Sequence, residues 1–169
     1  MNPEGISTVR AWKRGVIESY LNQGLSLKEA MIEAERSVAL VYENTVHNLV
    51  VDAGKELAGD LFINQETAGF TYHAIGTGAT TPADSDSHLT TEVARKLWIA
   101  KTRTANTVYF SQFYLAAECT FNIKEAGVFG GAAASATPGS GRLFCHYLQP
   151  YDNSAGLVDL TFEYELEVD

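Results

Sequence analysis

The chain has 169 residues, twelve Lys/Arg against twenty-one Asp/Glu for a formal net charge of −9, and 46% apolar side chains. That length suits one compact domain, and the acidic balance, present in residues 1–60 and again in 61–169, leaves no basic patch able to neutralise a nucleic-acid backbone. No apolar run reaches the ~18–20 residues of a membrane span, no basic start and apolar block mark a signal peptide, and two cysteines make no disulfide framework, so synthesis in a reducing cytoplasm is expected, with neither nucleic acid nor membrane as partner.

Residues 1–62 read as a helical segment. Ile6, Val9, Trp12, Val16, Ile17, Tyr20 and Leu21 fall at three- and four-residue steps, with Ser7 as N-cap and Gly24 past the end. Ser26-Leu27-Lys28-Glu29 is a capping box: the Ser26 hydroxyl accepts from the Glu29 amide while the Glu29 carboxylate reaches back to the cap amide. Leu27, Ala30, Met31, Ala34, Val38 and Val41 continue as an apolar stripe. A further helical pattern runs through Val46, Leu49, Val50, Ala53, Leu57 and Leu61, with Asn44 either separating two helices or lying within one.

From Phe70 the period changes to two, and residues 63–169 are predicted to be rich in β-structure. Phe70–Gly76 is a strand, 77–88 a loop, and 89–94 a short helical turn. Residues 95–103 and 107–115 form a hairpin around Thr104-Ala105-Asn106, and Thr120–Phe129 is another strand. A Gly/Ser loop, 130–141, is too poor in large side chains to bury anything. Arg142–Gln149 and Leu157–Val168 complete the set. In the last, Val158, Leu160, Phe162, Tyr164, Leu166 and Val168 alternate with Asp159, Thr161, Glu163, Glu165 and Glu167, which predicts one buried face and one acidic ridge. The fold class is α+β: an N-terminal helical segment followed by an antiparallel β-sheet or small β-sandwich.

Chemistry-bearing patterns are sparse. The four histidines make no metal-binding pair, Cys119 and Cys145 have no partner at zinc-site spacing, and each lies in an apolar strand as a buried small side chain would. Asp84-Ser-Asp86-Ser-His88 alternates oxygens as a calcium loop does, but Leu89 and Arg95 stand where that loop needs Gly and Glu. Gly76-Thr77-Gly78 follows a strand without the third glycine or the GK[ST] of a nucleotide loop, so a tight turn is expected. Three glutamates at alternate positions on one strand describe a solvated face or an interface with basic residues. No catalytic residue, cofactor or metal is expected, and an enzyme is disfavoured.

One constellation is more specific. A helix containing Val51-Asp52-Ala53-Gly54-Lys55-Glu56-Leu57-Ala58 is followed by a strand ending Ala74-Ile75-Gly76-Thr77-Gly78, then Thr81-Pro82-Ala83 and Leu89-Thr90-Thr91-Glu92-Val93-Ala94-Arg95. After two β segments come Ile123-Lys124-Glu125-Ala126-Gly127-Val128-Phe129, a Gly/Ser loop and two closing strands. This order resembles the attachment domain of tailed-bacteriophage tail-collar fibre proteins and the small virion proteins related to it, over about 125 of the 169 residues.

Physical roles follow for those residues. Gly76 and Gly78 let the strand turn into a loop that a Cβ would obstruct, and Glu92 and Arg95 brace that loop as a charge-assisted pair. Gly127 bends its strand, with Val128 and Phe129 filling the core. The resemblance implies a structural virion protein acting through protein–protein contacts, a tail or baseplate attachment component, made in the host cytoplasm, with other virion proteins as partners and a homo-oligomeric state. A capsid decoration or neck protein is the alternative, and a small ligand- or carbohydrate-binding β module a further one. Residues 1–44 are additional to the family pattern; they form an intersubunit bundle, insert into a neighbour, or pack on their own β domain. Trp12, Val16 and Tyr20 are the expected intersubunit contacts, and Trp98, Tyr109, Phe110, Phe113 and Tyr114 core or interface anchors.

Overall fold

The computed structural model describes residues 5–168, so the outermost parts of the two predicted segments, 1–4 and 169, lie outside the described residues. Gly5–Lys13 is a strand, β1, where a helix is expected. Ser7, Val9 and Ala11 face inward and are fully buried, so Ser7 is a core residue and not a helix cap. Apolar Val9 and Trp12 lie on opposite faces of the strand, one toward each apolar cluster, and β-branched Ile6, Thr8 and Val9 favour the strand once a partner is available along its whole length. Helix α1 (Val16–Asn22) follows, entered through left-handed Gly15 and left through Gln23 and left-handed Gly24.

Helix α2 (Leu27–Arg36) carries the predicted capping box and buries Leu27, Ala30, Met31 and Ala34. Its stripe ends there. Val38 takes a positive φ of 54° and stays exposed, and the chain turns into strand β2 (Leu40–His47), which includes exposed Val41 and also Asn44. After β3 (Leu49–Val50), helix α3 (Asp52–Phe62) is the third helix, starting later than predicted because Val46, Leu49 and Val50 are claimed by β-pairing.

Strand β4 (Phe70–Gly76) has the predicted bounds. The latter half of the expected helical turn at 89–94 and residues 95–97 of the hairpin's expected first arm are instead strand β5 (Glu92–Leu97), and the chain changes sheets at Trp98-Ile99 before β6 (Ala100–Thr104), the part of that arm which does form the hairpin. Strand β7 (Thr107–Tyr114) pairs with β6 across Ala105-Asn106, where Ala105 has a φ of 51°. Strands β8 (Asn122–Gly130), β9 (Arg142–Asp152) and β10 (Val158–Glu167) close the chain.

All pairings are antiparallel, in two five-stranded sheets ordered β2-β1-β10-β7-β6 and β3-β9-β8-β4-β5. The fold is thus mixed α+β with β-structure dominant. One core lies between the sheets, built from Val9, Phe110, Phe162 and Tyr164 of the first and Ile75, Val128, Phe144 and Tyr147 of the second. Each flank is laced by chain passing between sheets, β2 into β3 on one side and β5 into β6 on the other. The outer faces are covered differently. On the first sheet, α1 and α2 enclose a second apolar cluster with Trp12 and Phe113; on the second, Val51, Ala74, Leu89, Phe129 and Leu143 form a third.

Candidate functional site

Several of the residues singled out in the sequence meet on one sheet. Gly76 ends β4, Glu92 and Arg95 lie on β5, and Glu125, Gly127 and Phe129 on β8, three adjacent strands of the second sheet. They position two loops, 77–91 and 131–141, over or beside its outer face.

Glu125 is the anchor of the first loop. Its fully buried carboxylate accepts from the amides of Gly78 at 3.0 Å, Thr90 at 2.9 Å and Thr91 at 2.7 Å. His146 on β9 extends the network: Nε2 lies 3.1 Å from Glu125 and Nδ1 2.8 Å from Asp86, whose carboxylate also takes the Ala83 amide at 2.9 Å. Burial works to raise the Asp86 carboxyl, but the Ala83 amide and His146 outweigh it and hold it below its ordinary value. Asp84 adds a further attachment, its carbonyl accepting from the Asp52 amide at the start of α3 and its carboxylate meeting Lys55 at 3.2 Å. The glycines are required by close approach. A Cβ on Gly76 would lie 2.7 Å from the Glu125 carboxylate and would collide with the Thr91 carbonyl; one on Gly78 would collide with the same carboxylate.

Glu92 and Arg95 form the predicted pair, doubly bonded at 2.6 and 2.8 Å, with side chains 5% and 0% exposed. They brace a different loop from the one expected. Arg95 donates to the Ser140 carbonyl at 2.6 Å and Glu92 accepts from the Gly139 amide at 3.1 Å, so the pair holds down 131–141, because β5 turns both side chains toward that loop. The guanidinium also stacks 3.9 Å above the Phe129 ring, which places Phe129 in the outer cluster and not in the central core. At the loop's other end Glu66 accepts from the Ala68, Ala132 and Thr67 amides, which lower its pKa to about 2, and Arg142 pairs with Asp60 at 2.7 Å. The Gly/Ser loop is held through polar contacts in place of the large side chains it lacks.

The remaining candidates are placed otherwise. Trp12 is fully buried, its indole donating to Thr161 Oγ1 at 2.9 Å, and Val16 and Tyr20 pack against the same cluster. Trp12 therefore has no surface left for the intersubunit contact expected of it, whereas Val16 and Tyr20 remain partly exposed. Trp98, Phe110, Phe113 and Tyr114 are also core residues, while Tyr109 is 36% exposed. Gly127 does not mark the bend: register shifts flank it, at Ile123/Glu125 and Val128/Phe129, and its missing Cβ leaves room for Leu89 and Leu143. The acidic ridge is shorter than predicted. Asp159 and Thr161 are buried under the helical end, Asp159 accepting from the Gly15 and Ala116 amides at 2.6 and 2.8 Å, and Glu163 pairs with Arg10.

Two buried groups escaped sequence inspection. His73 stands between the Tyr114 and Tyr147 hydroxyls at 3.1 and 3.0 Å, its pKa lowered by burial to about 3. His146 has both ring nitrogens engaged by carboxylates. Neither position is signalled by local spacing, since each is created by strand pairing. Burial pushes the Cys119 and Cys145 thiols up to about 11 and about 12, which suits packing and opposes nucleophilic use. In chemical terms, the arrangement on the second sheet holds backbone: carboxylates and a guanidinium are saturated by loop amides and carbonyls. Comparison of the chain with protein-family models, with curated proteins and with solved structures gives no match.

Proposed function

We propose that this chain is a structural protein of a tailed-phage particle, working through protein–protein contacts as a tail or baseplate attachment component, with its two held loops as the assembly surface. The observation that carries the reading is the convergence of Gly76, Gly78, Glu92, Arg95 and Glu125 on the tethering of residues 77–91 and 131–141. Loops as long as 77–91 without secondary structure of their own are uncommon in compact domains and are usually either functional or disordered, and this one is held in place. Fixing them before a partner arrives removes much of the ordering cost that association otherwise incurs. Partners are other virion proteins and further copies of the chain, arranged around a symmetric ring. The net charge of −9 keeps the unassembled protein dispersed until it is incorporated.

Immunogold labelling of purified particles tests this. Label at the tail tip or baseplate is the expected result. Label over the capsid or neck would move the protein to a decoration or collar role, and mass spectrometry finding no such chain in the particle would refute the virion reading altogether.

A further inference from the structure

At one end of the sandwich an apolar pocket of about 250 Å³ opens between the sheets and α3, walled by Leu61, Phe62, Phe70, Phe110, Phe144 and Leu166 among others, every one of its lining side chains apolar. Phe62 at its mouth stays 65% exposed. The rim is different in character. Antiparallel partners project to the same side of a sheet, and Lys101 is opposite Phe110 while Arg103 is opposite Val108, the latter another wall residue. Two cations of edge strand β6 therefore flank the pocket on its own side. Lys101 Nζ lies 2.8 Å from the carbonyl of Phe70, another wall residue, and Arg103 donates to the Ala105 carbonyl. Neither meets a carboxylate among the described residues. Burial lowers the Lys101 pKa with no anion to offset it. Lysines on edge strands also discourage sheet-to-sheet pairing, but that task requires neither a pocket behind them nor a second cation beside its wall.

We propose that this pocket binds a free medium-chain fatty carboxylate, the alkyl chain lying among Phe70, Phe110, Phe144 and Leu61 and the carboxylate meeting Lys101 and Arg103. The charge complementarity commits the occupant to an anion, and the uniformly apolar wall commits the rest of it to hydrocarbon. This inference is independent of the virion role.

Titration calorimetry of the full chain with decanoate, kept below its micelle concentration, is the test. Saturable binding at one decanoate per chain is expected, with decyltrimethylammonium at least tenfold weaker. The double variant Lys101→Glu/Arg103→Glu is expected to weaken decanoate at least tenfold with an unchanged circular dichroism spectrum, and Ala58→Trp, which places an indole at the pocket wall, to abolish it. Methyl NMR on the unmodified chain keeps the test decisive should a variant misfold: decanoate should shift Leu61, Val108, Leu166 and Val168. No saturable binding, equal affinity for the two amphiphiles, or shifts confined to other methyls would overturn the proposal.

Discussion

The two outer faces of this sandwich are covered by opposite means. On the first sheet, α1 and α2 lay Ile17, Leu27, Ala30, Met31 and Ala34 over Trp12 and Phe113, so an apolar face is buried by apolar helices. On the second sheet, loops 77–91 and 131–141 have little apolar surface to offer, and buried charged groups, Glu125 and the Glu92–Arg95 pair, hold their backbones instead. Hydrophobic cover is non-directional and tolerates rearrangement. Cover through buried charges fixes individual amides and carbonyls, and losing one partner leaves the others unsatisfied. The first face is built for stability and the second to hold a particular loop shape.

The largest expected effect breaks the first face. Deleting residues 1–24 removes β1, which pairs with both β2 and β10, together with α1, so the remainder should show no cooperative unfolding transition by circular dichroism. A stably folded product would mean that the strand is dispensable. Trp12→Ala, at a site with no exposed surface, should cost about 3–5 kcal/mol, lowering the melting temperature by roughly 10 °C for a chain of this size. Hydrogen exchange in the two loops should stay as it was.

Glu125→Gln sharpens the contrast. The substitution keeps the shape but sets an amide donor against one of the backbone amides that Glu125 now accepts from, at a cost of about 1–3 kcal/mol. Its distinctive sign is faster exchange and easier cleavage by an Asp-directed protease at Asp84 and Asp86, a change that Trp12→Ala should not produce. Arg95→Lys loses the two-point pairing with Glu92. It should cost about 1 kcal/mol and raise exchange in 131–141 alone.

A further effect is in pH. Burial depresses the folded-state pKa of His73 from 6.5 to about 3, so between those values the unfolded chain binds the proton and the folded one does not. Its contribution to stability is complete above pH 6.5 and is lost as pH falls toward 3. Glu66, depressed from 4.5 to about 2, loses its contribution only below pH 4.5. Denaturant titrations from pH 6.5 to 4.5 should therefore show a decline that His73→Phe reduces; an unchanged slope would assign it to other groups.

Several local features were legible. The bounds of β4, the alternation of β10 and the capping box of α2 all express one dominant period or one local hydrogen-bond pattern. Residues 5–13 and 40–47 were not, because Ile6, Val9 and Trp12 fall at the three-residue steps of a helix, while the deciding term is a ladder to residues 158–166 far along the chain. The site was half legible. Gly76, Gly78 and Glu125 stand out in sequence, and Glu92 and Arg95 do pair, but which loop each pair holds depends on how β4, β5 and β8 align. His146, Asp159 and His73 were invisible for the same reason: their partners come from distant strands and loops.

Hydrogen exchange measured on the free chain and on the same chain within purified particles tests the central claim, that the second sheet's held loops form the assembly surface. Slower exchange on incorporation, concentrated in 77–91 and 131–141 with residues 16–36 unaffected, is the predicted result. Protection confined to 16–36, with both loops exchanging as they do in the free protein, would contradict it.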